Sequence, residues 1–172
     1  CEAVRKLDVA SRIIVACSSE EYGLVDMKDL PVDENCPFHP LSSYAVSKVS
    51  QDMLSYQYYK NYDMDIIRVR CFNLSGPGQS PKYALSSFAK QIIDIEKDVS
   101  KKNIISVGNL NVERDYTDVR DAVRAYYEIA LHAKAGSVYN LCSGTPYNMN
   151  ELLHVLLSLS TKEINVEVDS SR

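Results

Sequence analysis

Tryptophan is absent from the 172 residues, and Gly and Pro number only 6 each, which excludes a collagenous or low-complexity chain. No run of about 18 apolar residues occurs, so nothing reads as a membrane-spanning helix. The first residues (CEAVRKLDVA) also lack the apolar core of a signal peptide. Cys-x-x-Cys is missing too. The five cysteines Cys1, Cys17, Cys36, Cys71 and Cys142 are odd in number and widely spaced, fitting neither a zinc site nor a disulfide framework. Reduced thiols in a cytoplasmic compartment are the expectation, with no metal. Basic charge is not in excess: 19 Lys and Arg against 23 Asp and Glu give a net charge of −4. That balance excludes the electrostatic footprint of a protein that works on nucleic acid or anionic membrane and leaves a small molecule as the expected ligand. No Gly-x-Gly-x-x-Gly occurs either. The nearest match, Gly76-x-Gly78-x-x-Pro81, lacks the third glycine, and no helix opens on it.

What is present is an ordinary globular composition, 45% hydrophobic and 24% charged, in a chain long enough to bury roughly 70% of its unfolded surface. Arg12 to Cys17 and Ile66 to Phe72 are short runs rich in Ile and Val, the mark of strands covered on both faces. Ala45, Val49, Met53 and Tyr56 recur at three-to-four spacing and predict a helix from about Ser43 to Tyr62. Further helices are predicted over 84–99 and 118–133, and another runs to Ser160 from a capping box at Asn148-x-x-Glu151. Strands are predicted over 104–107, 137–142 and 164–168. Strands alternating with helices indicate an α/β fold, doubly wound around a parallel sheet. Ligands of such sheets lie beyond the carboxyl ends of the strands, which points to the residues after Cys17, Phe72 and Cys142.

Ser18-Ser19-Glu20-Glu21-Tyr22-Gly23 follows the first strand directly, placing hydroxyls and carboxylates at that edge. Tyr44-x-x-x-Lys48 sets a phenol and an ammonium one turn apart on one helix face. An ammonium beside a phenol favours the phenolate, as general acid–base chemistry requires. Tyr56 and Lys60 repeat the spacing, but twelve residues at about 100° each turn them roughly 120° away from Tyr44.

In order and approximate spacing, Ser18–Gly23, Pro40–Lys48, Arg70–Gln79 and Arg114–Asp121 resemble the extended short-chain dehydrogenases, the NAD-dependent epimerase/dehydratase family. Within it the chain is most similar to the dehydratases and reductases acting on GDP-mannose and its 4-keto product, a similarity carried by Gly76–Pro81 and Ala89–Ile92. The resemblance implies a partial Rossmann-like sheet with part of a small substrate-binding lobe. Residues 1–75 would form the carboxy-side part of the sheet with the catalytic residues, and 76–172 would mix in substrate-lobe segments. The Gly-rich amino-terminal half would lie outside these residues. It also implies NADP or NAD as cofactor, a GDP-sugar as substrate, and a homodimer or homotetramer. Ser18 matches the Ser/Thr that hydrogen-bonds the reacting sugar hydroxyl, Tyr44 the acid–base residue, Lys48 the cation on the nicotinamide ribose and Leu74 a position near the nicotinamide. Glu20 matches the carboxylate that removes the C5 proton in dehydratases. Ser19, Asn73, Arg114 and Asn140 match substrate-binding positions, Arg114 at the diphosphate. The implied activity is that of a GDP-mannose 4,6-dehydratase: transient C4 oxidation, loss of water across C5–C6 and hydride return to C6. The alternatives are the following reductase, another epimerase or dehydratase of the family, and a non-catalytic nucleotide-binding module.

Overall fold

A computed structural model describes residues 1–98 and 100–169. Among them the chain forms α1 (Glu2–Lys6), β1 (Ile13–Ser18), 3-10 turns at Ser19–Glu21 and Met27–Asp29, α2 (Ser43–Tyr62), β2 (Ile66–Cys71) and β3 (Asn73–Ser75). Then come α3 (Ala84–Lys97), β4 (Ile104–Val107), β5 (Glu113–Asp118), α4 (Val119–His132), β6 (Val138–Leu141), β7 (Pro146–Asn148), α5 (Met149–Ser158) and β8 (Asn165–Val168). These elements divide between two compact units, one of residues 1–74 and 120–142, the other of 75–119 and the chain from 143 onward. The chain therefore enters the second unit, returns to the first through α4 and β6, and leaves again.

The first unit is built on a parallel sheet in the order β1-β2-β6, with Ile13 opposite Ile66, Ser18 opposite Cys71, and Arg68 opposite Val138. Strand alternation sorts β2 between two layers. Ile67 and Val69 join Leu141 and the α4 residue Ala122 in one apolar cluster. Ile66 joins Val15 and Cys17 in the other, packed against Tyr58, Tyr59 and Met64. Arg68 and Arg70 share the side of Ile66, and both are buried. Ser42 opens α2 by accepting the Ala45 amide at 3.0 Å, and Asp63 closes it in the left-handed region with φ 52°.

The predicted bounds of α2 hold, but its buried face is not the apolar stripe the sequence suggests. Ala45, Asp52 and Ser55 are buried, whereas Met53 and Tyr56 are 43% and 41% exposed. The physical reason is β2: two arginines project toward the helix, so a carboxylate gains more there than a hydrophobe.

The second unit packs α3 (Phe88, Ile92, Ile95), β4 (Ile105, Val107) and α5 (Met149, Leu153) around a separate core. β4 pairs in parallel with β8, Ile104 opposite Asn165. β5 pairs antiparallel with β7, Glu113 opposite Asn148, a departure from the expected wholly parallel arrangement. Neither strand has an apolar run to announce it: β5 reads Glu-Arg-Asp-Tyr-Thr-Asp, and β7 is three residues beginning with Pro. At α5, Asn148 caps by accepting the Asn150 amide at 2.9 Å.

Candidate active site

The turn after β1 is fixed from both ends. Ser18 is the N-cap of the 3-10 turn, and its Oγ accepts the Glu20 amide at 3.2 Å. Glu21 folds back so that its Oε1 accepts the Ser18 amide at 2.8 Å, completing a reciprocal capping box. The consequence is a split between adjacent carboxylates: Glu20 is exposed and Glu21 fully buried. Gly23 ends the turn at φ 59°, and a Cβ there would lie 1.8 Å from the His39 carbonyl oxygen. Only glycine allows that approach, which lets the Leu24 amide reach His39 O at 3.0 Å.

α2 brings the second half of the site. Lys48 Nζ donates to the Ala16 carbonyl at 2.7 Å and to Gln51 Oε1 at 3.1 Å. One helical turn further on, Asp52 meets Arg68 and Arg70, which stand directly opposite Val15 and Cys17 of β1. Tyr58 and Tyr59 reach the Val15–Ile66 cluster near the strand's start. The helix thus runs against the direction of β1, and its first turn, with Tyr44, lies toward the strand's carboxyl end, where Ser18 emerges. Tyr44 is 54% exposed, and Lys48 Nζ lies 5.9 Å from the centre of its ring. The second Tyr-x-x-x-Lys pair is structural: Arg68 covers the Tyr56 ring at 5.0 Å, and Lys60 lies over Tyr59 at 5.2 Å.

Beside these residues is a buried ionic network of side chains outside the predicted site set. Asp52, with no exposure, accepts Arg68 Nη1 at 2.8 Å and Arg70 Nε at 3.0 Å. Arg70 also donates to Tyr22 Oη at 3.0 Å and to the Glu34 carbonyl at 2.8 Å. Its sequence signal was available: two arginines two apart in an otherwise apolar strand must share a face and need an anion there. Burial, reinforced by neighbouring Asp52, pushes the Glu21 carboxyl up from 4.5 to about 7. Burial also pushes up the Cys17 thiol and the Tyr22 phenol. Donor atoms of Cys17, Glu21 and Asp52 lie within 4.8 Å of one another, but both Asp52 oxygens already hold guanidinium groups, so the cluster is an ion-pair network rather than a metal cradle.

The remaining sequence-predicted residues are distributed as follows. Ser19 is half-buried in the 3-10 turn, and Asn73 and Leu74 are half-buried in β3, with Leu74 against the Ile67–Leu141 cluster. Asn140 is engaged on every side: Oδ1 accepts Tyr22 Oη–H at 2.6 Å, Nδ2 donates to the Val32 carbonyl at 3.3 Å, and its amide donates to Glu34 Oε1 at 2.7 Å. Its side chain ties β6 to the loop after β1. Arg114 belongs to the second unit. There it is exposed, donates to the Glu113 carbonyl at 2.8 Å, and lines a cavity of about 580 Å³ with Lys82, Phe88, Asn109, Tyr116 and Met149. Its neighbour Asp115 accepts the Ser143 and Gly144 amides at 2.8 and 2.7 Å. Ser18, Ser19, Glu20, Tyr44 and Lys48 are thus gathered at one strand end of the first unit, and Arg114 stands in a pocket of the second.

The chain is similar to known proteins in sequence and in fold. The family model for GDP-mannose 4,6 dehydratase matches residues 1–172. A GDP-6-deoxy-D-mannose reductase from Pseudomonas aeruginosa is 32% identical over 99% of this chain and 56% of its own length. A GDP-mannose 4,6 dehydratase from Dictyostelium discoideum is 26% identical over 96% of this chain and 44% of its own length. A solved structure of RMD from Pseudomonas aeruginosa complexed with NADPH is 32% identical and superposes with a TM-score of 0.94, covering 99% of this chain and 57% of that one. A Bacillus anthracis dTDP-glucose 4,6-dehydratase in complex with NAD gives 0.80 at 27% identity, over 98% of this chain and 53% of that one. The chain spans about half the length of the curated relatives it matches. The fold is the Rossmann-like α/β fold of those neighbours, and the chain belongs to the GDP-mannose 4,6 dehydratase family.

Proposed function

We propose that this protein acts on a nucleotide sugar by NAD(P)-dependent hydride transfer at the sugar's C4, as a reductase of a GDP-linked 4-keto-6-deoxy sugar. The observation that carries the reading is the Lys48 ammonium held on the Ala16 carbonyl, one turn from exposed Tyr44 and on the same strand as Ser18. The cofactor, bound as NADPH or NADH, would supply the hydride. Tyr44, Lys48 and Leu74 suit its nicotinamide end, whereas the Gly-rich turn that cradles a pyrophosphate is not among these residues.

The chain's own groups then divide the work. Ser18 Oγ–H donates to the sugar O4 and orients it. Tyr44 passes its phenolic proton to O4, and the neighbouring Lys48 cation stabilises the phenolate that remains. Ser19 and Asn73 hold sugar hydroxyls. Arg114, in its cavity, offers a planar donor fork to the diphosphate. Identity of 32% along 99% of the chain to the reductase supports this reading over dehydration. The second reading, a 4,6-dehydratase, is favoured by Glu20, an exposed carboxylate one residue from Ser19 and suited to removing the C5 proton. Val46, Met53 and Leu54, exposed along α2, support self-association through that helix.

Mixing the protein with the GDP-linked 4-keto-6-deoxy sugar and NADPH tests the reading. Stoichiometric NADPH loss is expected, abolished by Tyr44→Phe. Conversion of GDP-mannose to a 4-keto product with no net cofactor consumption, abolished by Glu20→Gln, would establish the second reading instead. Absence of both activities would remove both.

A further inference from the structure

Glu21 plays no part in the chemistry above, yet its carboxyl is fully enclosed beside it. Its Oε1 accepts the Ser18 amide. Its Oε2 is buried without a hydrogen-bond partner and stands 3.6 Å from Arg70 Nε, a donor already committed to Asp52 at 3.0 Å. The surrounding groups come from every adjoining element: Cys17 from β1, Asp52 from α2, Arg68 and Arg70 from β2, and Tyr22 from the end of the turn. Asp52 takes both guanidinium groups, and the Cys17 thiol is held neutral by burial. An ionised Glu21 would therefore leave a buried anionic oxygen without a hydrogen bond, 3.6 Å from an Arg70 Nε already committed to Asp52, with that second carboxylate within 4.8 Å. A proton on Oε2 removes that conflict and still leaves Oε1 to accept the Ser18 amide.

We infer that Glu21 is a positioning residue for Ser18, a protonated carboxyl whose Oε1 fixes the backbone from which the Ser18 hydroxyl projects and whose other oxygen answers to the buried Asp52–Arg70 pair. The inference deepens the proposed function and rests on Ser18 acting there. Loss of the proton near pH 7 turns the capping carboxyl into an anion repelled by Asp52, so the placement of Ser18 responds to pH through a group that never touches substrate.

NMR of the 172-residue chain with labelled glutamate carboxyl carbons tests the coupling without any assay of turnover. The Glu21 carbon is expected to titrate with a midpoint of about 7, and the Ser18 amide proton to move with the same midpoint. Glu21→Gln keeps an acceptor for that amide, so the Ser18 signal should stay hydrogen-bonded and stop titrating. A Glu21 midpoint in the ordinary carboxylate range, or a Ser18 amide indifferent to it, overturns the inference. Kinetics separate this from the underlying reading. Glu21→Ala should lower kcat by about 10²-fold with KM little changed, and Glu21→Gln should restore most of it and flatten the neutral limb of the pH profile. If Ser18→Ala abolishes turnover while Glu21→Ala does not lower kcat, positioning by Glu21 is wrong. If Ser18→Ala is fully active, the role given to Ser18 is wrong, and the NMR result still decides the coupling.

Discussion

Lys48 Nζ donates to the carbonyl of Ala16 at 2.7 Å, two residues before Ser18 on the same strand. Gln51 takes a second of its donors at 3.1 Å, so two of the three N–H groups of an ammonium are anchored in the protein and one is left for a ligand. An anchored cation keeps its place relative to Tyr44 without help from substrate.

The first expectation follows from that anchor. Tyr44→Phe should lower kcat by about 10²–10⁴-fold, the usual weight of a positioned acid–base group, with little change in folding because the side chain is 54% exposed. Lys48→Met should lower kcat and also weaken dinucleotide binding. Steady-state kinetics with fluorescence titration of NADPH separate the two.

Arg114 gives a second expectation. It lies in a cavity of about 580 Å³ in the second unit and donates one Nη1 hydrogen bond to the adjacent Glu113 carbonyl, a local contact that lets the rest of the guanidinium fork face a diphosphate. Calorimetry on the 172-residue chain should register GDP binding, weakened about tenfold or more by Arg114→Ala and less by Arg114→Lys, which keeps the charge and loses the fork. Equal affinities for all three proteins would remove Arg114 from the nucleotide site.

Much of this was legible in the residues. The limits of α2 follow from its Ser42 cap and its length, and β1, β2 and β4 from their Ile and Val runs. The orientation of α2 was not legible, because the side it buries carries Lys48, Asp52 and Ser55 and is polar by periodicity; only the partner strand reveals why. β5 and β7 were silent for a related reason: their stability is cross-strand pairing, not local composition. The site motifs Ser18-Ser19-Glu20 and Tyr44-x-x-x-Lys48 could be read because each lies within one short segment. The coupling of Glu21 to Asp52 joins residues 31 apart in sequence through a third element.

Asp52 carries the third expectation. It compensates two buried arginines, so Asp52→Ala strands both charges and should cost about 3–5 kcal/mol, the usual penalty for removing one partner of a buried ion pair. Asp52→Asn retains hydrogen bonding without charge and should fall between. Urea unfolding measures both, and a loss for Asp52→Ala of the size seen at exposed pairs, about 0–1 kcal/mol, would mean that water reaches the arginines.

The pH dependence of stability offers the last expectation, and its sign is opposite to that of most carboxylates. Glu21 is raised from 4.5 to about 7 in the folded protein, so the native state holds a proton that the unfolded chain releases earlier. Between pH 4.5 and about 7 the unfolded state binds fewer protons, and stability must fall as pH rises, by up to about 3 kcal/mol, and then level off. Asp94, Glu96 and Asp98 are lowered by their hydrogen bonds to Lys90, Thr161 and Ser100, so their contribution is lost on acidification below the ordinary carboxylate range and leaves the window of Glu21 clear. Urea midpoints for the protein and for Glu21→Gln, taken at both ends of that window, isolate the effect. The variant, with nothing to titrate there, should gain on the parent as pH rises. Parallel curves for the two proteins would mean that Glu21 carries its charge in the folded state as readily as in the unfolded one.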